Sequence, residues 1–185
     1  MRYQPASERD LQIAELQLGR PVRGVAGVAW RCPCGEPGVL ATYPRLPADR
    51  GVGTPFPTIY YLTCPQAVLG CSRLEASGLM AELTERLAVD PQLAAAYQHA
   101  HEAYLADRAA LEAELDGPVP EIAGVSAGGM PTRVKCLHAL VGHALAAGPG
   151  VNPIGDLVLE RLGDFCTHPC LDSAELAAAG ISQLG

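Results

Sequence analysis

Arg31-Cys32-Pro33-Cys34-Gly35 constrains this chain more than any other stretch. Two thiols one residue apart, with Pro and Gly shaping the turn, can aim both sulfurs at one centre. Cys-x-Cys is a less common zinc spacing than Cys-x-x-Cys, so the motif gains weight only from the cysteines elsewhere. There are seven, an odd number, spread over most of 185 residues. The N-terminus MRYQPASERD carries no apolar signal segment, so a cytoplasmic setting is expected. Reduced thiols in that setting point to metal binding or thiol chemistry rather than to a disulfide framework.

The pattern around this turn reads as α+β: a small antiparallel sheet near the N-terminus, then a mostly helical C-terminal two-thirds. Ser7 followed by Asp10 resembles a capped helix start, and Gly19 stops the helix of residues 8–18. Three extended segments follow, Gly24–Arg31, Gly38–Leu46 and Thr58–Thr63, rich in Val, Tyr, Ile and Thr. The polar stretch Pro47–Pro57 is expected as a loop. Helices are predicted over Gln66–Ala76, Leu79–Ala88 and from Asp90-Pro91 to about Leu115, where Asp116-Gly-Pro ends the last. Short helices at Ile154–Leu162 and Ser173–Ala179 complete a single domain over 1–185, with its sheet part at about 20–64 and its helical part at about 65–180. A net charge of −7 argues against general nucleic-acid binding, and no apolar run reaches membrane-spanning length.

Cys64 closes the third extended segment directly before a helix. If the first and third strands are neighbours, Cys32, Cys34 and Cys64 meet at the sheet end. Cys136 is then the expected fourth ligand, with His143 or Cys170 as a replacement. Four thiolates suit zinc or an iron–sulfur cluster, whereas three with an open position suit catalysis. Cys71 lies among Val68, Leu69 and Leu74 and reads as packing. Cys166 and Cys170 frame His168 in a metal-like spacing, but a terminal loop is the commoner explanation.

A second candidate site is the stretch from Ile122 to Pro153. Its glycine-rich turn, with Ser126, Gly128 and Gly129, leads to Pro131, read as the first residue of a helix. Arg133 and Lys135 fall in the opening turn of that helix, and Arg73 is a further cation near an element end. Free N–H groups beside two cations are chemically an anion site. On the same helix Cys136 and His143 share a face, His143 as ligand or general acid/base. Leu137, Leu140, Val141 and Leu145 allow the plainer reading of a core helix with a core histidine. Metal-free catalysis by Cys136 with His143 as base would have to cross about 10 Å of helical rise. His138 would point to nearly the opposite face.

The motifs RCPCG, GTPFPTIYYLTCP, SRLEASGLM and GVSAGGMPTRVKCLHALVGHALAAGPGVNP together resemble the bacterial, actinobacterial-type domain-of-unknown-function family 501, over about Leu18 to Asp156. The resemblance implies a cytosolic single-domain protein and brings no activity with it. Cys32, Cys34, Cys64 and Cys136 fall inside its motifs, whereas Cys71 and Cys166 look peculiar to this chain. The insertion around Asp49–Val52 looks longer than the family's usual loop. Two functions remain open on these grounds. One is a metal enzyme acting on a small anionic substrate; the other is a non-catalytic zinc-stapled module that binds a protein partner.

Overall fold

The structure, a computed structural model, describes residues 3–48, 51–115 and 117–182. Asp49, Arg50 and Asp116, named above in the insertion and the helix end, lie outside the described residues. The first helix, α1 (Glu8–Leu18), carries both signals that define it. Ser7 accepts the Asp10 N–H, the Asp10 carboxylate accepts the Ser7 N–H, and Gly19 leaves the helix with φ 64°.

Asp10 does more than cap. Arg31 grips it with two hydrogen bonds of 2.7 and 3.0 Å and also donates to the Gly35 carbonyl at 3.2 Å. Arg9 makes the matching fork on buried Glu36, at 2.7 and 2.8 Å. The start of α1 thereby clamps both arms of the Cys32–Gly35 turn. The Arg31 guanidinium is the main reason the Asp10 carboxyl is lowered to about 2.

The sheet is a meander of β1 (Val25–Arg31), β2 (Pro37–Thr42) and β5 (Tyr60–Leu62), in the order β1-β2-β5. Between β2 and β5 a two-stranded ladder joins β3 (Arg45–Leu46) to β4 (Thr54–Pro55). Two expectations change here. The segment Gly38–Leu46 is not one strand, and the stretch Pro47–Pro57 is not wholly a loop. The first and third extended segments are also not neighbours, because β2 lies between them with all six residues buried. Antiparallel pairing nonetheless brings the C-terminal ends of β1 and β5 to the same edge, beside Pro37, Gly38 and Val39.

Helices follow from residue 65 on: α2 (Pro65–Ala76), α3 (Leu79–Val89), α4 (Pro91–Glu112), α5 (Leu137–Ala147), α6 (Pro153–Leu162) and α7 (Ser173–Ala178). Among the described residues no helix is long and apolar enough to cross a membrane. With only two Phe and one Trp in the chain, the core is built on tyrosine instead. Tyr60, Tyr97 and Tyr104 are its largest fully buried side chains. Their hydroxyls are all used: Tyr60 donates to Asp107 at 2.6 Å, Tyr104 to the Pro57 carbonyl at 2.9 Å, and Tyr97 to the Arg133 carbonyl at 3.3 Å.

The helix expected from Pro131 begins only at Leu137. Residues 128–135 instead close on themselves. The Arg133 N–H donates to the Gly129 carbonyl at 3.2 Å and the Lys135 N–H to the Gly128 carbonyl at 2.7 Å. The Val134 N–H is taken by the Thr84 hydroxyl at 2.9 Å. Gly129, at φ 95°, is needed for this closure, since a Cβ there would lie 2.5 Å from the Arg133 oxygen. Cys136 is extended, and the Leu137 N–H that opens the helix is accepted by Glu75 Oε1 of α2, 2.7 Å away. The cap of α5 therefore comes from another helix.

Candidate metal centre

At the edge where β1 and β5 end, four thiols converge. Cys32 follows β1, Cys64 is the residue before α2, and Cys166 and Cys170 lie on the segment between α6 and α7. Their sulfurs all lie within 4.8 Å of one another. Cys170 is the hub, with its Sγ 3.4 Å from that of Cys32, 3.8 Å from Cys64 and 4.0 Å from Cys166. None of the seven cysteines is in a disulfide. In a tetrahedral site with zinc–sulfur bonds of about 2.3 Å, neighbouring sulfurs sit about 3.8 Å apart. The three spacings bracket that value, so the cluster is at the right distance to hold one metal ion.

Local structure aims each sulfur. The Gly35 N–H donates to the Cys32 carbonyl at 2.8 Å and the Cys32 N–H to the Glu36 carbonyl at 2.9 Å, which fixes the turn. The Thr63 and Cys64 N–H groups both reach the Gly38 carbonyl, at 2.9 and 3.2 Å, and anchor Cys64 across the sheet edge. The Cys64 thiol is lowered to about 3, first by the neighbouring Cys170 and Cys32 thiols and then by the N–H groups of Ala67 and Gln66 at the start of α2. Its neighbour Cys32 is driven the opposite way by the same contacts and by burial. Trp30 and Phe165, each close in sequence to one of these cysteines, meet with ring centroids 6.3 Å apart.

Gly38 makes the convergence sterically possible. A Cβ there would stand 2.4 Å from the Trp30 ring and 2.8 Å from the Cys32 sulfur. Gly38→Ala is expected to displace Cys32 and, if the cluster holds a metal ion, to weaken its retention by at least ~10-fold, as disturbances of ligand orientation do. Competition with a colorimetric zinc chelator measures this, and equal retention by parent and variant would contradict it.

Of the four cysteines expected as ligands, two are in the thiol cluster and two are not. Cys32 and Cys64 are in the cluster. Cys34 is beside it, its sulfur 3.5 Å from that of Cys170, but it is not one of the four mutually close thiols. Cys170, read as a replacement ligand, is central, and Cys166, read as part of a terminal loop, completes the set. Cys136 is elsewhere, grouped with Glu75 and His138. It stands before α5 rather than on it, which also removes the shared helical face with His143. Cys71 is buried on α2, and burial pushes its thiol up to about 12.

His143 lies in the core with no exposed surface. Its ring stacks on Tyr60 at 5.5 Å and meets Tyr104 edge-on at 5.1 Å. The Asn152 amide donates to its Nδ1 at 3.1 Å, so the proton of the neutral ring sits on Nε2, which has no hydrogen-bond partner among the described residues. Burial lowers it to about 4. The plainer reading offered for α5, a core helix with a core histidine, describes this environment.

The residues expected to bind an anion differ in their settings. Arg73, Arg133 and Lys135 are exposed. Ser126 is buried, its hydroxyl 2.8 Å from His101 Nδ1 and donating to the Met130 carbonyl at 3.4 Å. Gly128 and Gly129 serve the closed loop described above. The helix start that was to supply free N–H groups lies further along the chain, and its first N–H is already bound by Glu75.

Glu75, Cys136 and His138 form the second close group of metal-ligating side chains among the described residues. Glu75 Oε1 is 3.1 Å from His138 Nδ1, and the Cys136 sulfur is 4.0 Å from the same nitrogen. His138 is raised to about 9, chiefly by Cys136, with Glu75 adding to the effect. Both neighbours thus favour its charged form.

Fold and site together define a small α+β protein with a four-thiol cluster at one end of its sheet. The family model described as "Protein of unknown function (DUF501)" matches residues 28–160, and the chain belongs to that family. The matched residues include Cys32, Cys64, Cys136 and His138, while Cys166 and Cys170 lie beyond them. No curated protein and no solved structure matches the chain.

Proposed function

We propose that this is a zinc protein in which Cys32, Cys64, Cys166 and Cys170 hold one ion as a structural staple. The carrying observation is the mutual approach of four sulfurs to within 4.8 Å. That spacing suits a mononuclear tetrahedral ion; the ligands of a multi-iron cluster stand around a larger body. Nothing in the chemistry of the surrounding side chains requires a redox metal, which favours zinc. Four thiolates fill a tetrahedral shell and leave no position for a substrate, as structural sites do.

Burial supports the same reading. Cys32, Cys64 and Cys170 are buried, and a nearby cleft of about 490 Å³ is lined by Cys34, Glu36 and His168 but by none of the four. The staple would fasten residues 163–172, which have no helix or strand, to the sheet edge and the start of α2. The protein's role would then be that of a zinc-stapled module presenting its surface to a partner, not that of an enzyme at this centre.

Anaerobically purified protein should carry tightly held zinc and lose one equivalent in Cys64→Ser and in Cys170→Ser. Elemental analysis reads this directly. A colourless protein without metal, or metal content indifferent to both substitutions, would sink the proposal; a brown protein containing iron and labile sulfide would replace zinc with a cluster.

A further inference from the structure

We propose that Glu75, Cys136 and His138 form a second, coordinatively open site for a zinc-type divalent cation, distinct from the four-thiolate centre. One carboxylate, one thiolate and one imidazole would bind the ion. The fourth position would be left for water or another oxygen donor, the composition of a catalytic rather than a structural zinc site.

Three independent features of the structure lead there. The first is spacing. With zinc bonds of about 2.0–2.1 Å to nitrogen and oxygen and about 2.3 Å to sulfur, tetrahedral ligands lie about 3.3 Å apart for N and O and about 3.6 Å for N and S. The distances here are 3.1 Å from His138 Nδ1 to Glu75 Oε1 and 4.0 Å from His138 Nδ1 to Cys136 Sγ. Small side-chain rotations close the difference.

The second feature is the outer support. Metal-binding histidines normally donate their other ring N–H to a carbonyl or carboxylate, which fixes the ring and the metal-facing nitrogen. His138 Nε2 lies 3.2 Å from the Val68 carbonyl, which can only accept. The Ser72 hydroxyl, itself donating to that carbonyl at 3.0 Å, also lies 3.2 Å from Nε2. Nε2–H is therefore held by α2, and Nδ1 is turned toward Glu75 and Cys136. The carboxylate is oriented too, because its Oε1 accepts the Leu137 N–H.

The third is access. The side chains of Glu75 and His138 keep 23% and 27% of their surface exposed, so an ion can enter without unfolding. Cys136 and His138 both line a groove of about 310 Å³, walled by Leu18, Tyr61, Leu62 and Val68. An open coordination position beside an apolar groove suits a small ligand that offers one oxygen to the metal and an apolar body to the walls.

The competing account is a thiol–imidazolium pair with Glu75 as its acid partner and no metal. Anaerobic reconstitution of the full-length protein with Co2+ separates the two. The parent is expected to bind one equivalent more than Cys136→Ser or His138→Ala. The extra equivalent should show visible bands of a four-coordinate ion and a charge-transfer band of single-thiolate intensity. This difference of one equivalent is expected whether or not the four-thiolate centre fills. Glu75→Gln, which keeps an oxygen for the Leu137 N–H, should weaken the site by ~10–100-fold without loss of helix.

A measurement on the parent alone guards against variants that fail to fold. Saturating Zn2+ should protect Cys136 from iodoacetamide, read by peptide mass spectrometry. Equal Co2+ uptake by parent and folded variants would overturn the proposal. So would alkylation of Cys136 at the same rate with and without zinc, which leaves the thiol–imidazolium pair only.

Discussion

If the four-thiol cluster holds zinc as proposed, stripping the ion is expected to cost about 4 kcal/mol, the linkage expected when free zinc exceeds its dissociation constant by about 1,000-fold. For a chain of this size that corresponds to a drop of roughly 8–16 °C in Tm. The cause is local. Between α6 and α7 the chain has no helix or strand, and Cys166 and Cys170 are its strongest candidate tethers to Cys32 and Cys64. Without the ion, the Trp30–Phe165 contact, the burial of Leu171 and the Gln66–His168 hydrogen bond of 3.0 Å remain to hold the segment. Limited proteolysis should therefore nick residues 163–172 first in chelator, while the α2–α6 core persists. Thermal unfolding with and without a strong chelator checks the magnitude. An unchanged Tm and an unchanged cleavage pattern would show that the thiols pack without a metal.

The second large effect concerns acid. His143 is neutral in the folded protein because burial lowers it to about 4, whereas an unfolded histidine titrates near 6.5. Its folded pKa lies below the unfolded one, so between those values the unfolded chain binds the extra proton. The stability it permits is full above about pH 6.5 and is lost as pH falls toward 4, by up to about 3 kcal/mol. His143→Leu removes the titration and the buried Nε2, although it leaves Asn152 Nδ2 with the Met130 sulfur at 3.8 Å as its acceptor among the described residues. The substitution also changes stability at neutral pH, so the decisive quantity is the difference between the variant's slope and the parent's. Urea unfolding at pH 7 and pH 5 should show the parent losing about 2 kcal/mol more than the variant. Parallel losses would mean that His143 is not buried neutral.

Elements that carry their own punctuation were readable from the sequence. Ser7 with Asp10, Gly19, and Asp90-Pro91 define α1 and the start of α4 by local chemistry, and the structure uses each as such. The start of α5 was not readable, because its cap is Glu75, 62 residues away from Leu137. Pro131 offered a local start signal, and the hydrogen bonds of Gly128, Gly129 and Thr84 overrode it. The same miscounted start hid the relation of Cys136 to His138, since helical geometry had put them on different faces.

Half of the thiol cluster was legible for a similar reason. Cys32 and Cys64 sit at strand ends, and antiparallel pairing brings such ends together even with β2 between them. Cys166 and Cys170 lie on a segment with no periodicity to read. Only their spacing and the neighbouring His168 signalled metal chemistry, and nothing local says where that segment docks.

Cys32 and Cys170 stand 138 residues apart, and Cys64 and Cys170 stand 106 apart. Chains are made from the N-terminus onward, so the sheet edge and α2–α5 can form while the last two sulfurs are still to be synthesised. Closing so long a loop carries a substantial entropic cost, although that cost grows only slowly with length. The ion would thus be captured only after Cys170 is made, by a sheet edge and helices that precede it in the chain. A nascent chain halted before Cys166 would lack two of the four sulfurs, and capture of the ion would report that translation had passed Cys170.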